Sequence, residues 1–286
     1  MGTRTWTIRE LLLWSRGFFA ERNVDSPRLT AELLLSFVLG CPRIRLYADF
    51  DRPLDQAELA RFKSLVLRRA AGEPAQYLVG RQDFYGRPFK VDPRALIPRP
   101  ETELVAERVL REVPKGTAAL LADVGCGCGT LGLTLAAERP DARVVLTDVS
   151  PDALQLAREN AVLLDVAPRV EMRQGDLAAP LASGVFDAIV ANLPYVPDGE
   201  RATLPIHIVE HEPHLALFGG PDGLDLYRRF LPALPRHLRP GGLVVVEHGA
   251  EHGESAPALF DPNDWTQVTV EQDLAGLPRF TSAHRR

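Results

Sequence analysis

Four consecutive residues, Asn192, Leu193, Pro194 and Tyr195, follow a strand-like run and could hold an amide or aryl NH2 group for alkylation. Such a nitrogen is a poor nucleophile because its lone pair is delocalised. The Asn192 side-chain oxygen and the Leu193 carbonyl, fixed by the rigid Pro194, could accept both N–H bonds and direct the lone pair at a methyl carbon. Tyr195 would then cover the planar group. The same tetrapeptide also fits a plain proline turn, so a second signal is needed.

That second signal is a glycine-rich turn in the segment that begins at Asp123. A predicted strand ends there and a helix begins directly after the turn, which aims backbone N–H groups and the positive helix end at a ligand. Dinucleotide folds use the spacing Gly-x-Gly-x-x-Gly, but Thr130 occupies the last glycine position. The spacing Gly-x-Gly-x-Gly is typical of S-adenosylmethionine (SAM) methyltransferases. The cofactor-binding residues predicted here are Gly125, Cys126, Gly127, Cys128 and Gly129.

Two further acids follow the next two predicted strands. Asp148 ends the first of them, where a carboxylate can accept both ribose hydroxyls of a nucleoside cofactor. Asp176 follows the second, where it would face the adenine amino group with Leu177 beside the ring. Because turns favour Asp and Gly, the alternative is that these acids are surface turn residues. Acids at consecutive strand ends favour a cofactor site, which Asn192 is also predicted to contact.

No metal is expected at either cluster of potential ligands. Cys126 and Cys128 lack a second Cys or His pair at metal-site spacing, so they are interpreted as small residues in a tight turn. Three histidines lie within the segment His207–His214. Pro213 and the lack of apolar periodicity predict a loop there instead of a metal-binding helix.

Alternating strand-like and helix-like runs beyond Glu101 must position these groups. Their order and lengths predict an α/β fold with a doubly wound, mostly parallel, seven-stranded sheet. Ligands of such sheets bind at the carboxyl ends of strands, so the tetrapeptide and the glycine turn are expected to face one crevice. The last two strand-like runs have no helix between them and are expected to pair antiparallel at one edge. The predicted strands are Leu120–Val124, Val144–Thr147, Val170–Arg173, Val185–Ala191, Leu243–Glu247, Gln267–Glu271 and Arg279–Ser282, and the predicted helices are Thr130–Glu138, Pro151–Leu164 and Leu224–Leu238.

Residues 1–75 carry helical patterns with no polar constellation inside them. The first helix is expected to start at a capping box formed by Thr7 and Glu10. Ser26 is a predicted N-cap before a first-turn proline, and a third helix is expected after Asp55. These patterns predict a small helical bundle, interpreted as a substrate-docking domain.

Residues 76–100 lack the helical pattern of residues 1–75, because glycines and prolines occur throughout this stretch and break helices. A β-hairpin is predicted around Gly86 and Arg87, and the stretch is interpreted as a linker. The predicted domains are therefore residues 1–75, the linker 76–100 and the cofactor-binding domain 101–286.

Composition is that of an ordinary globular protein, with 45% apolar and 25% charged residues among 286. A net charge of −5 argues against a broad basic field, so no direct nucleic-acid partner is expected. No apolar run approaches the ~18 residues that span a bilayer, and no membrane partner is expected. The three cysteines argue against a disulfide framework and favour a reducing compartment, so the expected location is cytoplasmic.

On these motifs the chain resembles the release-factor glutamine methyltransferases, which are protein-(glutamine-N5) methyltransferases. The most specific match is the proline-rich segment Leu96–Glu103. The resemblance implies an enzyme that transfers a methyl group from SAM to the side-chain amide of the Gln in the Gly-Gly-Gln loop of bacterial-type peptide-chain release factors. The other matching segments are Gly72–Leu78, Phe84–Gly86, Gly175–Leu177, Glu212–Pro213, Gly219–Arg229 and Asp273–Gly276, together with the glycine turn and the tetrapeptide.

The resemblance also implies a role for each predicted site residue. The turn Gly125–Gly129 would hold the methionine part of SAM, and Asp148 would take the ribose. Asp176 and Leu177 would flank the adenine, while Asn192–Tyr195 would hold the glutamine. The N-terminal helices would dock the release factor, and the cofactor product would be S-adenosyl-L-homocysteine.

Two positions depart from the family pattern. The family usually has Pro-Pro in the tetrapeptide, and Leu193 here keeps the carbonyl but loses one φ constraint. With Leu193, the tetrapeptide has the sequence found in ribosomal-RNA adenine dimethyltransferases. The alternative function is therefore that of an adenine-N6 methyltransferase acting on RNA or DNA. The acidic charge, the N-terminal helices and the proline-rich linker argue against it. The remaining alternatives are a SAM-binding protein without catalytic activity and a nicotinamide dehydrogenase.

The second departure from the family pattern is His252, which stands where the family tends to carry Gln, and the sequence offers no reason for that change.

Overall fold

Residues 5–181 and 185–286 are described by the computed structural model, and they separate into two units. The first unit contains the described residues up to Arg81 together with the short segment Pro205–His211. The second unit contains the described part of Gln82–Leu204 together with Glu212–Arg286. The predicted cofactor and acceptor residues all belong to the second unit.

The first unit is helical, as the sequence predicts. Phe19, Leu34 and Phe62 lie in its apolar core, and each is at most 1% exposed. Two of its helices, at 43–48 and 75–79, escaped prediction because they are too short for apolar periodicity to show. Its helices before Arg81 are α1 (Ile8–Ala20), α2 (Pro27–Leu39), α3 (Arg43–Ala48), α4 (Gln56–Ala70) and α5 (Ala75–Val79).

The starts of these helices confirm one predicted cap and correct another. At α1 the Thr7 hydroxyl accepts the Glu10 N–H at 3.3 Å and the Glu10 carboxylate accepts the Thr7 N–H at 3.0 Å, so the capping box is confirmed. A second capping box begins α4 at Asp55. The prediction that Ser26 caps α2 is wrong. Its backbone is left-handed, with φ of 45°, and its side chain makes no cap hydrogen bond, because side-chain capping needs an extended backbone at that position.

The predicted β-hairpin is present as β1 (Arg81–Phe84) and β2 (Arg87–Lys90). Its turn lies at Tyr85 and Gly86, one residue earlier than predicted. Both turn residues have positive φ, 50° and 71°, as a tight two-residue hairpin turn requires.

The second unit is built on a seven-stranded sheet in the order β5-β4-β3-β6-β7-β9-β8. Neighbouring strands pair in parallel from β5 to β7, and β9 pairs antiparallel with both β7 and β8. The predicted mostly parallel sheet and its antiparallel edge are therefore confirmed. Its strands are β3 (Leu120–Val124), β4 (Arg143–Asp148), β5 (Val170–Gln174), β6 (Phe186–Ala191), β7 (Leu238–Glu247), β8 (Trp265–Gln272) and β9 (Pro278–Arg285), and the later helices of the chain are α6 (Glu103–Glu112), α7 (Thr130–Glu138), α8 (Pro151–Leu163), α9 (Ile206–Val209) and α10 (Asp225–Phe230).

Both faces of the sheet are covered, which is why its central strands read as continuous apolar runs. Leu121 of β3 points into the core shared with α6, α7 and α8, whereas Ala122 points into the core on the α10 side. Successive side chains of a strand alternate between faces, so one strand serves both cores. Within the described ranges, no helix combines the length and the apolar character needed to cross a membrane.

The predicted helix Leu224–Leu238 is wrong over most of its length. The α-helix α10 ends at Phe230, and the chain continues as the 3₁₀ turns Leu231–Ala233 and Pro235–His237. Pro232 and Pro235 explain the break, because proline lacks the N–H that an α-helix needs and clashes with the preceding turn.

Candidate active site

The glycine turn joins β3 to α7 in a left-handed backbone conformation. The φ values of Gly125, Gly127 and Gly129 are 71°, 55° and 87°. The N–H groups of Gly125 and Cys126 both donate to the Thr147 carbonyl at 2.9 Å, which fastens the turn to β4. A Cβ on Gly129 would lie 2.8 Å from a leucine side chain of α7, so glycine is required there by space as well as by φ.

Two buried polar side chains support the turn, and the sequence assigned neither of them a role. Asp123 accepts the Gly132 N–H at 2.8 Å, and burial raises the pKa of its carboxyl to about 7. Asn160 of α8 is fully buried: its Oδ1 accepts the Lys90 N–H at 2.7 Å, and its Nδ2 donates to the carbonyls of Lys90 at 3.0 Å and Cys128 at 2.9 Å. The strand-end position of Asp123 was an available signal, whereas nothing in the sequence pointed to Asn160.

Asp148 ends β4 beside the turn. Its two carboxylate oxygens accept the N–H groups of Gly127 and Ser150, each at 2.9 Å. Burial raises the pKa of this carboxyl, and the backbone hydrogen bonds oppose the rise. Each oxygen keeps a second lone pair, so the fixed carboxylate can still accept from hydroxyl groups of a ligand.

Asp176, Leu177 and Arg229 form the next part of the site. Asp176 makes an exposed ion pair with Arg229 of α10. Leu177 has a φ of 48°, a strained conformation that non-glycine residues adopt mainly at turns and ligand sites. Arg229 belongs to the matching segment Gly219–Arg229, but the sequence assigned it no role.

The tetrapeptide Asn192–Tyr195 leaves the carboxyl end of β6. The Leu193 side chain is buried against the turn, and its Cδ2 lies 3.0 Å from the position that a Cβ on Gly125 would take. The Tyr227 hydroxyl lies 3.1 Å from the Leu193 carbonyl oxygen and also contacts the Glu247 carbonyl oxygen, so at least one of the two Leu193 lone pairs is left for another donor. Tyr195 is half-buried, and burial raises the pKa of its phenol.

A glycine loop and His252 pack directly behind the tetrapeptide. A Cβ on Gly223 would overlap the Tyr195 carbonyl oxygen, so only glycine allows the two main chains to approach this closely. The buried His252 ring supports the loop, because its Nε2 lies 2.9 Å from the Asp222 carbonyl. This contact gives His252 a structural role, which could not be recognised from the sequence.

A buried carboxyl, Glu247, lies beside Asn192 at the end of β7. The parallel register pairs Ala191 with Val246, which places the next residues of the two strands side by side. Burial raises the pKa of Glu247 to about 7, and hydrogen bonds with the Thr102 and Asn192 side chains act to lower it. The Asn192 Nδ2 also lies 3.3 Å from the Thr102 hydroxyl oxygen. Neither Thr102 nor Glu247 was predicted as a site residue, although Thr102 lies in the proline-rich matching segment.

Part of this assembly lines a cavity of about 310 Å³ that lies within the second unit. Its volume is that of a small-molecule site. Gly129 and Tyr195, both of which the structure describes, are not part of its wall. The proline-rich segment, interpreted in part as linker, supplies Leu96, Pro98, Arg99 and Thr102 to the wall. The predicted residues that the cavity brings together are Gly125, Cys126, Gly127, Cys128, Asp148, Asp176, Leu177, Asn192, Leu193 and Pro194.

Across residues 5–181 and 185–286, no group of three or more His, Cys, Asp or Glu side chains is arranged to hold a metal ion. Cys126 and Cys128 are buried free thiols, and burial raises the pKa of both, that of Cys128 to about 11.

The predicted loop around His207 is wrong at its start, where the helix α9 begins directly after Pro205. Pro205 is the N-cap of this helix, where the missing N–H costs no intrahelical hydrogen bond.

Two family models match the chain. The model described as "PrmC N-terminal domain" matches residues 10–80, and the model described as "Methyltransferase small domain" matches residues 102–215. The first match falls on the helical unit. The second covers the strands and turns that carry the cavity up to residue 215.

Curated relatives match almost the whole chain. The "Release factor glutamine methyltransferase" of Geobacter sulfurreducens is 43% identical, over 96% of this chain and 95% of the relative. The protein of the same name from Moorella thermoacetica is 44% identical, over 98% of this chain and 99% of the relative.

Solved structures share the fold at low identity. A methyltransferase from Pyrococcus furiosus matches with a TM-score of 0.52 at 17% identity, over 78% of this chain and 96% of that one. A 16S rRNA methyltransferase of T. thermophilus, in complex with AdoMet and guanosine, matches with a TM-score of 0.50 at 18% identity, over 72% of this chain and 50% of that one. At these identities the likeness concerns the fold alone.

Proposed function

This chain belongs to the release factor glutamine methyltransferase family, and from that premise we propose that it methylates the side-chain N5 of the Gln in the Gly-Gly-Gln loop of peptide-chain release factors. The enzyme is a SAM-dependent protein-glutamine methyltransferase. The observation that carries the proposed acceptor is that Asn192 and Leu193 share one cavity with the glycine turn.

The residues around the cavity fit SAM. The left-handed turn at Gly125–Gly129, with no side chains at its glycines, would let main-chain atoms approach the methionine part. The fixed carboxylate of Asp148 would accept the ribose hydroxyls, and Asp176 and Leu177 would flank the adenine. When bound, SAM supplies a methyl group on a positively charged sulfur, which leaves as a neutral thioether.

The tetrapeptide holds and orients the acceptor amide. The Asn192 Oδ1 and the free lone pair of the Leu193 carbonyl accept the two N–H bonds of the glutamine NH2, so its lone pair points along the cavity. The N–C bond forms as the S–C bond breaks, with that electron pair going to sulfur. The nitrogen then releases one proton to solvent, so no strong base has to act before the transfer. We propose that no metal ion takes part, which activity in the presence of a chelator would test.

The release factor itself is the proposed partner, with no direct contact to nucleic acid. The first unit carries exposed apolar side chains, among them Trp14 at 41%, Ile44 at 76% and Leu67 at 51% exposure, and we propose that it docks the release factor. This role corresponds to the predicted substrate-docking domain. Because release factors act on ribosomes, the proposed location is the cytoplasm.

An adenine-N6 methyltransferase is the alternative, because an exocyclic adenine NH2 is also planar and deactivated. The curated relatives at 43% and 44% identity over nearly the whole chain do not favour it. The net charge of −5 also gives no general attraction to a phosphate backbone.

The decisive experiment offers radiolabelled SAM with two acceptors, a purified release factor and ribosomal RNA. We expect label on the release factor only, and mass spectrometry should place the added methyl on the Gln of Gly-Gly-Gln. A release factor in which Asn replaces that Gln is the matched control and should stay unlabelled. Label on RNA, or equal label on the control protein, would reverse the assignment.

A further inference from the structure

We propose that Glu247 is a positioning residue that selects the orientation of the Asn192 amide and so presents the Asn192 side-chain oxygen to the acceptor nitrogen. This inference rests on the proposed function, because it assigns a task to Asn192. It adds a residue outside the tetrapeptide and outside the cavity wall, since Glu247 lies behind Asn192 and only 3% of its surface is exposed.

The need for such a residue follows from the shape of an amide. The oxygen and the NH2 of asparagine are nearly the same size, so packing alone does not decide which of them faces the cavity. An inverted Asn192 would present N–H groups to the N–H groups of the acceptor, and the acceptor would lose one of its two hydrogen bonds. Hydrogen-bond partners behind the amide must therefore set its orientation.

The surroundings of Asn192 supply the required acceptors. The strand register sets Glu247 beside Asn192, and among the described residues the buried Glu247 Oε2 has no hydrogen-bond partner. The Asn192 Nδ2 lies 3.3 Å from the Thr102 oxygen, and the Thr102 and Asn192 side chains both act to lower the pKa of Glu247. An ionised carboxylate only accepts hydrogen bonds, so it holds the NH2 of Asn192 on its own side. In the proposed arrangement Thr102 accepts one N–H of that NH2 and Glu247 accepts the other, so the Asn192 oxygen is left for the acceptor.

The charge of Glu247 depends on the groups that face it. Burial and Glu101 raise the pKa of Glu247, and Thr102, Arg279 and Asn192 lower it, with the result at about 7. Two phenols on neighbouring elements, those of Tyr195 and Tyr227, also face the carboxylate, and both have raised pKa values because they are buried. A protonated Glu247 could donate to the Asn192 oxygen and hold the wrong orientation. We therefore expect kcat to rise with pH through about 7 as this carboxyl ionises.

The first test compares Glu247→Gln with Asp187→Asn, a carboxylate-to-amide change at the opposite end of the same sheet. Asp187 lies at the start of β6, accepts the Leu120 N–H at 2.8 Å and pairs with Arg239, so it is remote from the cavity. For Glu247→Gln, kcat on release factor should fall about 10- to 100-fold and the rise near pH 7 should disappear. The Kd for SAM, measured by calorimetry, should stay within about twofold of wild type, and Asp187→Asn should retain wild-type kcat.

The second test exchanges the two side-chain types. Asn192→Asp alone places two carboxyls together and should be nearly inactive. In the double variant Asn192→Asp with Glu247→Gln, the amide introduced on β7 can donate to the carboxylate introduced in the tetrapeptide, whose second oxygen still faces the acceptor. We expect the double variant to exceed Asn192→Asp in kcat by about tenfold, a compensation that a purely structural role of Glu247 does not produce.

The outcomes separate this inference from the proposed function. Wild-type protein that fails to label the release factor refutes the proposed function, whatever the variants do. Active wild type with unchanged kcat in Glu247→Gln, or with a double variant no better than Asn192→Asp, overturns the positioning role alone. Loss of SAM binding in folded Glu247→Gln also overturns it, because the defect would then lie in the cofactor site.

Discussion

Replacing Asn160 by alanine should destabilise the second unit and weaken SAM binding together. The Asn160 side chain is fully buried and makes three hydrogen bonds, two with the main chain of Lys90 in β2 and one with the Cys128 carbonyl in the glycine turn. At about 1 kcal/mol for each lost bond, the free energy of unfolding should fall by roughly 3 kcal/mol. The turn also loses its tie to β2, so we expect the Kd for SAM to increase several-fold.

Urea unfolding followed by circular dichroism measures the first effect, and calorimetry measures the second. Asn263→Ala is the matched control, because Asn263 is exposed and its side chain bonds with the nearby Asp261. The control should change stability by less than about 0.5 kcal/mol and leave SAM affinity unchanged.

A second variant, Asn160→Asp, sharpens the test. Aspartate keeps an acceptor for the Lys90 N–H but turns a carboxylate oxygen towards the Lys90 and Cys128 carbonyls. At about pH 8 it should be less stable than Asn160→Ala, and the difference should shrink as the pH falls and the carboxyl is protonated. If Asn160→Ala loses no more stability than Asn263→Ala, the role of these buried hydrogen bonds is refuted.

Three further outcomes follow from the site. Asn192→Ala should abolish methyl transfer and leave the calorimetric Kd for SAM nearly unchanged, and lost SAM affinity with preserved turnover would contradict the assignment. Asp148→Ala should weaken SAM binding by about 1–3 kcal/mol, as for a hydrogen bond to a charged group, and unchanged affinity would show that the ribose lies elsewhere. Burial raises the pKa of Asp123 from 3.8 to about 7, so the folded state keeps a proton that the unfolded state has released. The free energy of unfolding should therefore fall by roughly 2–4 kcal/mol between about pH 4 and 7, and Asp123→Asn should flatten this slope in urea titrations at several pH values. An equally steep slope in that variant would exclude Asp123 as its source.

Much of the site could be predicted because its chemistry is local in sequence. In a left-handed turn such as Gly125–Gly129, the positions with positive φ favour glycine, which has no side chain. The repeated glycines in the sequence therefore predict the conformation of the turn. Asp148 and Asn192 lie at the ends of apolar strands, and parallel strands bring their carboxyl ends to one edge. Pattern alone was therefore enough to assign these residues to one crevice.

The wrong predictions concern segments whose conformation or role depends on prolines, on backbone conformation at a single residue, or on residues distant in the sequence. Pro232 and Pro235 ended α10 early, although the apolar spacing continued beyond them. Ser26 has the right residue type for an N-cap, but its left-handed backbone prevents that role. The segment interpreted as linker forms part of the cavity wall through Leu96 and Arg99, which no periodicity could have shown.

Sequence alone determined the order of the sheet strands along the chain, the glycine turn and the tetrapeptide, because each depends on residue type over a few neighbouring positions. Tertiary structure alone decided which distant groups support them. Asn160 reaches the turn from α8, and Glu247 reaches Asn192 from the next strand of the sheet. Burial then shifts the pKa of Asp123 and Glu247, since desolvation depends on everything packed around a carboxyl and on no single stretch of chain.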